Sequence, residues 1–292
     1  MVTAPIGVTR FYGNTCFGLD VLENQQVALV RATVLNDPFD PYGFFETDFG
    51  NYINLFKYVQ THHAQDRSWF RAHVTAQSWG KTERELRAYM DGLRNDTFVL
   101  CASAPIETTH PKDNLYMWGH YGNGHRGFAI EFDSAALADV VLGHHCSEGG
   151  APLVDEQPWV QMEYARSFRP ISAEDVYQFL KEWNEVDARR KKQPSETPLD
   201  RYYRQLSVIK SSVWQSENEW RLMWRSKTET GDVYKIPITP ECIRAVYLGL
   251  AIPADNKQRV VDAVGRYSPR AEVWYATKRH GDLSLDFHRH PG

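Results

Sequence analysis

The sequence predicts an α+β fold: one mixed, mostly antiparallel sheet with flanking helices and an inserted helical hairpin. Three observations carry this. Segments with strand character far outnumber strict strand-helix-strand alternations. The helical periodicities gather into two groups, residues 48–93 and 172–210, whereas a doubly wound sheet would spread them evenly. Finally, GxxxxGK[ST] is missing, and the GxGxxG of Gly122 to Gly127 runs into a strand-like segment instead of opening a helix, so a nucleotide would have to be held by some other device.

In chain order, strands are expected at Val27–Val34, Thr97–Ala102, Gly127–Asp133, Trp159–Tyr164, Glu219–Trp224, Val233–Ile238, Ile243–Leu248 and Ala271–Tyr275, each short and bounded by turn residues. In the third, Phe128, Ile130 and Phe132 alternate with Ala129, Glu131 and Asp133, the period of a half-buried strand. Helical spacing of Phe49, Tyr52, Ile53, Phe56 and Val59 marks Asp48–Gln60, and Thr82 with Glu85 reads as a capping box before Leu86, Tyr89, Met90 and Leu93. Ser172 with Asp175 opens a further helix, with Val176, Phe179, Leu180, Trp183 and Val186 on one face. The basic run Arg189-Arg190-Lys191-Lys192 suits that helix's C-terminal end, and Gln193-Pro194 breaks the chain before a second helix over Leu199–Lys210. The whole chain, 1–292, is expected to be a single α+β domain, with 172–210 as a peripheral insertion.

The 292 residues are 42% apolar and 24% charged, enough to bury a substantial core without disorder or repeats. A formal charge of −4 argues against a generic phosphate-binding surface while leaving a local basic groove open. No run approaches the roughly eighteen apolar residues of a membrane span. MVTAPIGVTR also lacks the order of a secretory signal, so a cytoplasmic protein with no membrane partner is expected. Cys16, Cys101, Cys146 and Cys242 form no CxxC pair, and His62-His63 and His144-His145 lack a partner at metal-ligand spacing, so no metal site is expected.

The candidate chemistry concentrates in LYMWGHYGNGHRGFAIEFD, where Trp118, His120, Tyr121, His125 and Arg126 surround three glycines at the entrance of a strand. In Ser216-Glu217-Asn218-Glu219-Trp220-Arg221, period two would put Glu217, Glu219 and Arg221 on one strand face. A carboxylate oriented by an arginine serves equally as an internal ion pair or as an acid, base or hydroxyl-binding group. Asn36 and Asp37, before Pro38, suit a structural corner, with Asp37 or Asp40 as polar ligands to a substrate in the alternative.

The turn Leu35-Asn36-Asp37-Pro38-Phe39-Asp40, the stretch from Cys101-Ala102-Ser103 through Met117-Trp118-Gly119-His120-Tyr121, and Trp214 with Glu217-Asn218-Glu219-Trp220-Arg221 resemble the bacterial domain of unknown function family 2971. The resemblance runs from about Arg10 to Gly249. A wider layout is similar to the ADP-ribosyltransferases: an early turn with Arg10 and Tyr12, a strand ending at Ser103, a helix carrying Trp118 and Tyr121, and a late strand with Glu217 and Glu219. That resemblance implies NAD held by Tyr12, Ser103, Trp118 and Tyr121 and, at the early position, by Arg10, with Phe11 as the other residue that aligns there. Glu219, with Glu217, would stabilise positive charge developing on the ribose as nicotinamide leaves. It also implies a macromolecular target, protein or nucleic acid, and a toxin or defence setting. Two other classes stay open: a nuclease using His120, His125, Asp37 and Glu219 around a metal, and a non-catalytic binding module. The oligomeric state is not written in the sequence.

Overall fold

A computed structural model of the chain describes residues 4–291, apart from 38, 40–45, 108, 149–150, 153–157 and 190–195. Pro38 and Asp40 of the early turn, three residues of the basic run and the Gln193-Pro194 breaker therefore lie outside the described residues. The strands are β1 (Gly7–Tyr12), β2 (Gln26–Arg31), β3 (Thr97–Ser103), β4 (Phe128–Asp133), β5 (Ala151–Pro152), β6 (Trp159–Gln161), β7 (Glu163–Ala165), β8 (Ile209–Ser211), β9 (Glu219–Arg225), β10 (Val233–Pro237), β11 (Ile243–Leu248), β12 (Glu272–Lys278) and β13 (Leu285–Arg289). The helices are α1 (Thr15–Asn24), α2 (Tyr52–His62), α3 (Arg67–His73), α4 (Trp79–Asp96), α5 (Leu115–His120), α6 (Ser134–Glu148), α7 (Ala173–Arg189), α8 (Pro198–Ser207) and α9 (Ala254–Tyr267).

The chain clusters into two compact units, the first made of residues 1–34, 97–164 and 211–292 and the second of residues 35–96 and 165–210. The first holds a sheet ordered β10-β2-β3-β1-β4-β11-β12-β13, with β9 also pairing β3 and carrying β5 and β6. Every pairing in this sheet is antiparallel except β11 with β12. The mixed, mostly antiparallel sheet expected from the sequence is the one observed.

Strand alternation gives the sheet two different faces. Val8 and Tyr12 of β1, Phe98 and Leu100 of β3, Ile130 of β4 and Trp220 and Leu222 of β9 join one core with Leu19 and Leu22 of α1, Leu137 of α6 and Val260 of α9. Phe11, Ala129, Ala245 and Tyr247 point the other way, packed against Met117 and Trp118 of α5. Burial of these two sets is the main stabilisation, at roughly 25 cal/mol per Å² of apolar surface removed from water.

Two glycines let strands approach at the entrance to β4. A Cβ on Gly127 would stand 2.1 Å from the Tyr12 carbonyl oxygen, and one on Gly249 would stand 2.3 Å from the His125 carbonyl oxygen. Any side chain there would push β1, β4 and β11 apart.

In the second unit, Leu55, Val59, Phe70, Leu86, Met90, Leu93, Val176, Tyr177, Leu199, Tyr203 and Leu206 are all buried. Thr197 and Asp200 make the reciprocal capping box of α8, and Ser172 Oγ accepts the Asp175 N–H at 3.1 Å to start α7. Glu174 of α7 accepts from Tyr58 Oη at 2.9 Å and pairs with His63 at 2.6 Å, which ties α7 to the region of α2. The expected box at Thr82 and Glu85 is corrected: α4 begins at Trp79, and Thr82 Oγ1 donates to the Ser78 carbonyl inside its first turn. The hairpin α7-α8 falls in one unit with α2, α3 and α4, so the two helical groups, separated by about 80 residues of sequence, share a core.

Candidate functional site

The face beneath α5 carries a transverse row of side chains. The strand registers pair Glu219 with Ser103, Ser103 with Thr9, Thr9 with Glu131, Glu131 with Ala245 and Ala245 with Glu272. Five inter-strand steps of about 4.8 Å make the row roughly 24 Å long. Met117 and Trp118 cover its middle, so its two ends are separate places.

At the β9 end, Arg221 Nε donates to Glu219 Oε1 at 2.6 Å, with the two side chains 0% and 4% exposed. The Glu219 N–H donates to Tyr164 Oη at 2.8 Å. Tyr121 Oη donates to Glu217 Oε1 at 2.7 Å, and Glu217 is buried as well. The structure thus sets Ser103 in register with Glu219 and its partner Arg221, and joins Tyr121 to Glu217. Ser103 Oγ reaches only the Met117 sulfur, at 3.9 Å, and Thr9 Oγ1 is buried without a hydrogen-bond partner.

Glu217 arrives there by a different route from the one the alternation implied. Ser212–Glu217 is a 3-10 turn, Asn218 has the left-handed φ of 42°, and β9 starts only at Glu219. The expected three-residue strand face of Glu217, Glu219 and Arg221 is therefore corrected to Glu219 and Arg221. Asn218 is stabilised in its conformation by donating to the Ala104 carbonyl at 2.9 Å.

Arg10 and Tyr12 are the larger correction. They belong to β1, not to a turn, and Tyr12 lies in the core with Trp220, on the opposite face from Glu219. Arg10 shares that face by strand parity. It donates to the Ala28 carbonyl at 2.8 Å and stands 5.6 Å from the Tyr12 ring. Burial pushes the Tyr12 phenol up from its ordinary pKa, against a smaller lowering by Arg10. A continuous sheet separates the pair from Ser103 and Glu219.

Trp118 is fully buried, and its Nε1 donates to the Lys112 carbonyl at 2.7 Å while its ring meets Phe11 edge-on at 5.0 Å. It is a strut under the loop and does not line an open pocket. The motif MWGHY occupies the body of α5, which Asn114 caps by accepting from Tyr116 N at 3.0 Å. His125, left-handed at φ 67°, stacks on Trp118 at 5.8 Å, and burial holds its pKa below the ordinary value. His120 is exposed beside Tyr116 at 4.2 Å and Trp214 at 6.2 Å.

Asn36 and Asp37 belong to the second unit, where Asp37 is buried and its Oδ1 accepts the Phe39 N–H at 2.9 Å, the bond of a side-chain-closed turn. Among the described residues no three His, Cys, Asp or Glu side chains gather as a metal-binding group. Nor is any helix among them long and apolar enough to cross a membrane.

Toward the other end of the row, on β4 and β11, is a cluster the sequence reading missed. Glu131 Oε2 accepts from Tyr247 Oη at 2.5 Å and lies 3.2 Å from His110 Nε2, while Arg244 Nε is 3.5 Å from Oε1. Lys112 N–H donates to His110 Nδ1 at 3.1 Å, which leaves the ring proton on Nε2, facing Glu131. Burial pushes the Glu131 carboxyl up, but the His110 and Tyr247 hydrogen bonds and the Arg244 charge outweigh it and leave the pKa lowered. The sequence offered only one signal, an acidic residue on the nominally wet side of an apolar strand.

Residues 117–222 match the model of a family described as protein of unknown function, DUF2971, which supports the resemblance over that stretch. No curated protein and no solved structure matches the chain.

Proposed function

We propose that this chain is an ADP-ribosyltransferase-like enzyme, using NAD in the cytoplasm to modify a protein or nucleic acid, with Glu219 as the carboxylate that grips the ribose. One observation carries the reading. Glu219, fixed by Arg221 at 2.6 Å, sits in register beside Ser103, and the next residue in the row, Thr9, has a buried hydroxyl with no partner. A pair of hydroxyls with unspent hydrogen-bonding capacity next to an oriented carboxylate suits a polyhydroxylated sugar. NAD supplies an activated ribosyl group. Glu219, oriented by the guanidinium, favours positive charge on the sugar, while Ser103 and Thr9 orient its hydroxyls and Tyr121 holds Glu217 in place. Arg10 and Tyr12 take no part in this arrangement.

A second reading rests on the burial of the same pair: Arg221 and Glu219 form an internal ion pair that specifies the fold, and the unit is a binding module. Nicotinamide release from NAD, followed by NMR beside thermal unfolding, separates the two. Glu219→Gln with turnover abolished and the unfolding transition retained supports the enzyme. Lost stability with undiminished turnover, or no turnover in the parent protein, overturns it.

A further inference from the structure

Beyond the Glu219 end, a cavity of about 640 Å³ opens at the far end of the same face, between the Lys112-Asp113 turn and the β12-β13 hairpin. Its volume is that of a small-molecule site. Three rings line it: Tyr247, Trp274 and Phe287, the first and last edge-on at 5.7 Å. Two of the rings are fixed from behind. Tyr247 Oη is bonded to Glu131, and Trp274 Nε1 donates to Glu272 Oε2 at 3.2 Å, whose other oxygen stands 3.1 Å from Arg289. Lys112 is pinned at both its backbone groups, its N–H to His110 and its carbonyl to Trp118. Such a wall is assembled before any ligand arrives.

The charges face one another across these rings. Lys112 bonds Asp113 at 3.0 Å on one side, and Arg279 Nε donates to Asp286 at 2.8 Å on the other. Both pairs are partly exposed, and although Arg279 Nη1 also stands 3.8 Å from Asp282, the guanidinium has further N–H groups to offer a ligand. Counting Glu272, the lining holds three carboxylates against two cations. A simple anion such as a nucleotide would add to an existing excess of negative charge, and a simple cation would leave the Arg279 donors unused.

We propose that this cavity binds an aromatic zwitterion with the chemistry of a free aromatic amino acid. Its ring lies among Trp274, Phe287 and Tyr247, its carboxylate meets Arg279, and its ammonium meets the excess carboxylate around Glu272. The proposal is independent of NAD chemistry at Glu219.

Calorimetric titration of the full chain with L-phenylalanine, phenethylamine and 3-phenylpropionate tests it. Phenylalanine should bind at least about tenfold more tightly than either singly charged analogue, one tenfold step per lost charged contact. Arg279→Gln should weaken phenylalanine about tenfold and leave phenethylamine unchanged, whereas Trp274→Leu should weaken all three. Arg279 is half-exposed, so an unshifted melting temperature verifies that the variant is folded. Equal binding of an analogue and phenylalanine, indifference of phenylalanine to Arg279→Gln, or no binding of phenylalanine at millimolar concentration overturns the proposal.

Discussion

The two ends of one polar row treat charge in opposite ways. At the β9 end, Arg221 and Glu219 are sealed, 0% and 4% exposed, and meet at 2.6 Å. At the β12-β13 end, Arg279 and Asp286 make the same kind of bond at 2.8 Å, yet are 50% and 39% exposed beside an open cavity. Equal geometry therefore carries unequal energy: the sealed pair is costly to break, while the wet pair is screened and exchangeable. The first arrangement fixes structure around Glu219. The second leaves donors within reach of a ligand.

The strongest way to break this comparison is Arg221→Met, which strands a buried carboxylate. Destabilisation of about 3–5 kcal/mol is expected, read from urea unfolding; a loss no greater than a surface substitution gives would mean that water reaches Glu219. A smaller effect should appear with pH at Glu131. Its carboxyl is held below the ordinary glutamate range, so its stabilisation is present above the unfolded value, about 4.3, and is lost as pH falls through the lowered folded value. Unfolding free energies of the parent and Glu131→Gln should accordingly converge on acidification; a gap that stays constant with pH would refute the assignment. The smallest expected change is Thr9→Val, which replaces a buried, unpartnered hydroxyl by a methyl of similar size. Stability should be unchanged or raised by up to about 1 kcal/mol. If NAD turnover nevertheless falls, the hydroxyl serves the ligand; a marked loss of stability would show instead that it has an internal partner.

What the sequence disclosed follows from periodicity. β11 appears at Ile243–Leu248 as expected, and β3 and β9 extend their expected ranges by one residue each, because these strands are apolar runs with clear turn boundaries. β1 and β13 went unread: GVTRFY and LDFHR carry charges inside strands whose partners lie far away in sequence, β1 beside β3 and β4, and β13 at the sheet edge. The helices α1, α6 and α9 were missed as well, although all three cover one face of the sheet. For the site, pairing of Glu219 with Ser103 needed only the order of two strands. Separation of Arg10 from Glu219 depended on parity along β1, which a segment read as a turn does not have. Asn218 shows the limit most clearly: one left-handed residue cancels the alternation that placed Glu217 and Glu219 on one face.

The transverse row also bears on how the chain finds its fold. Every member sits at matching height on its strand, and each strand's next residue points into the opposite, apolar core, as Trp220 does after Glu219. Sliding β9 by a single residue would drive Glu219 among the indoles and phenyl rings on the far side and turn Trp220 toward Ser103. Carrying Glu219 and Arg221 together into that apolar core makes such slipped pairings costly, so the row acts as a proofreading mark for strand alignment whether or not any ligand ever touches it.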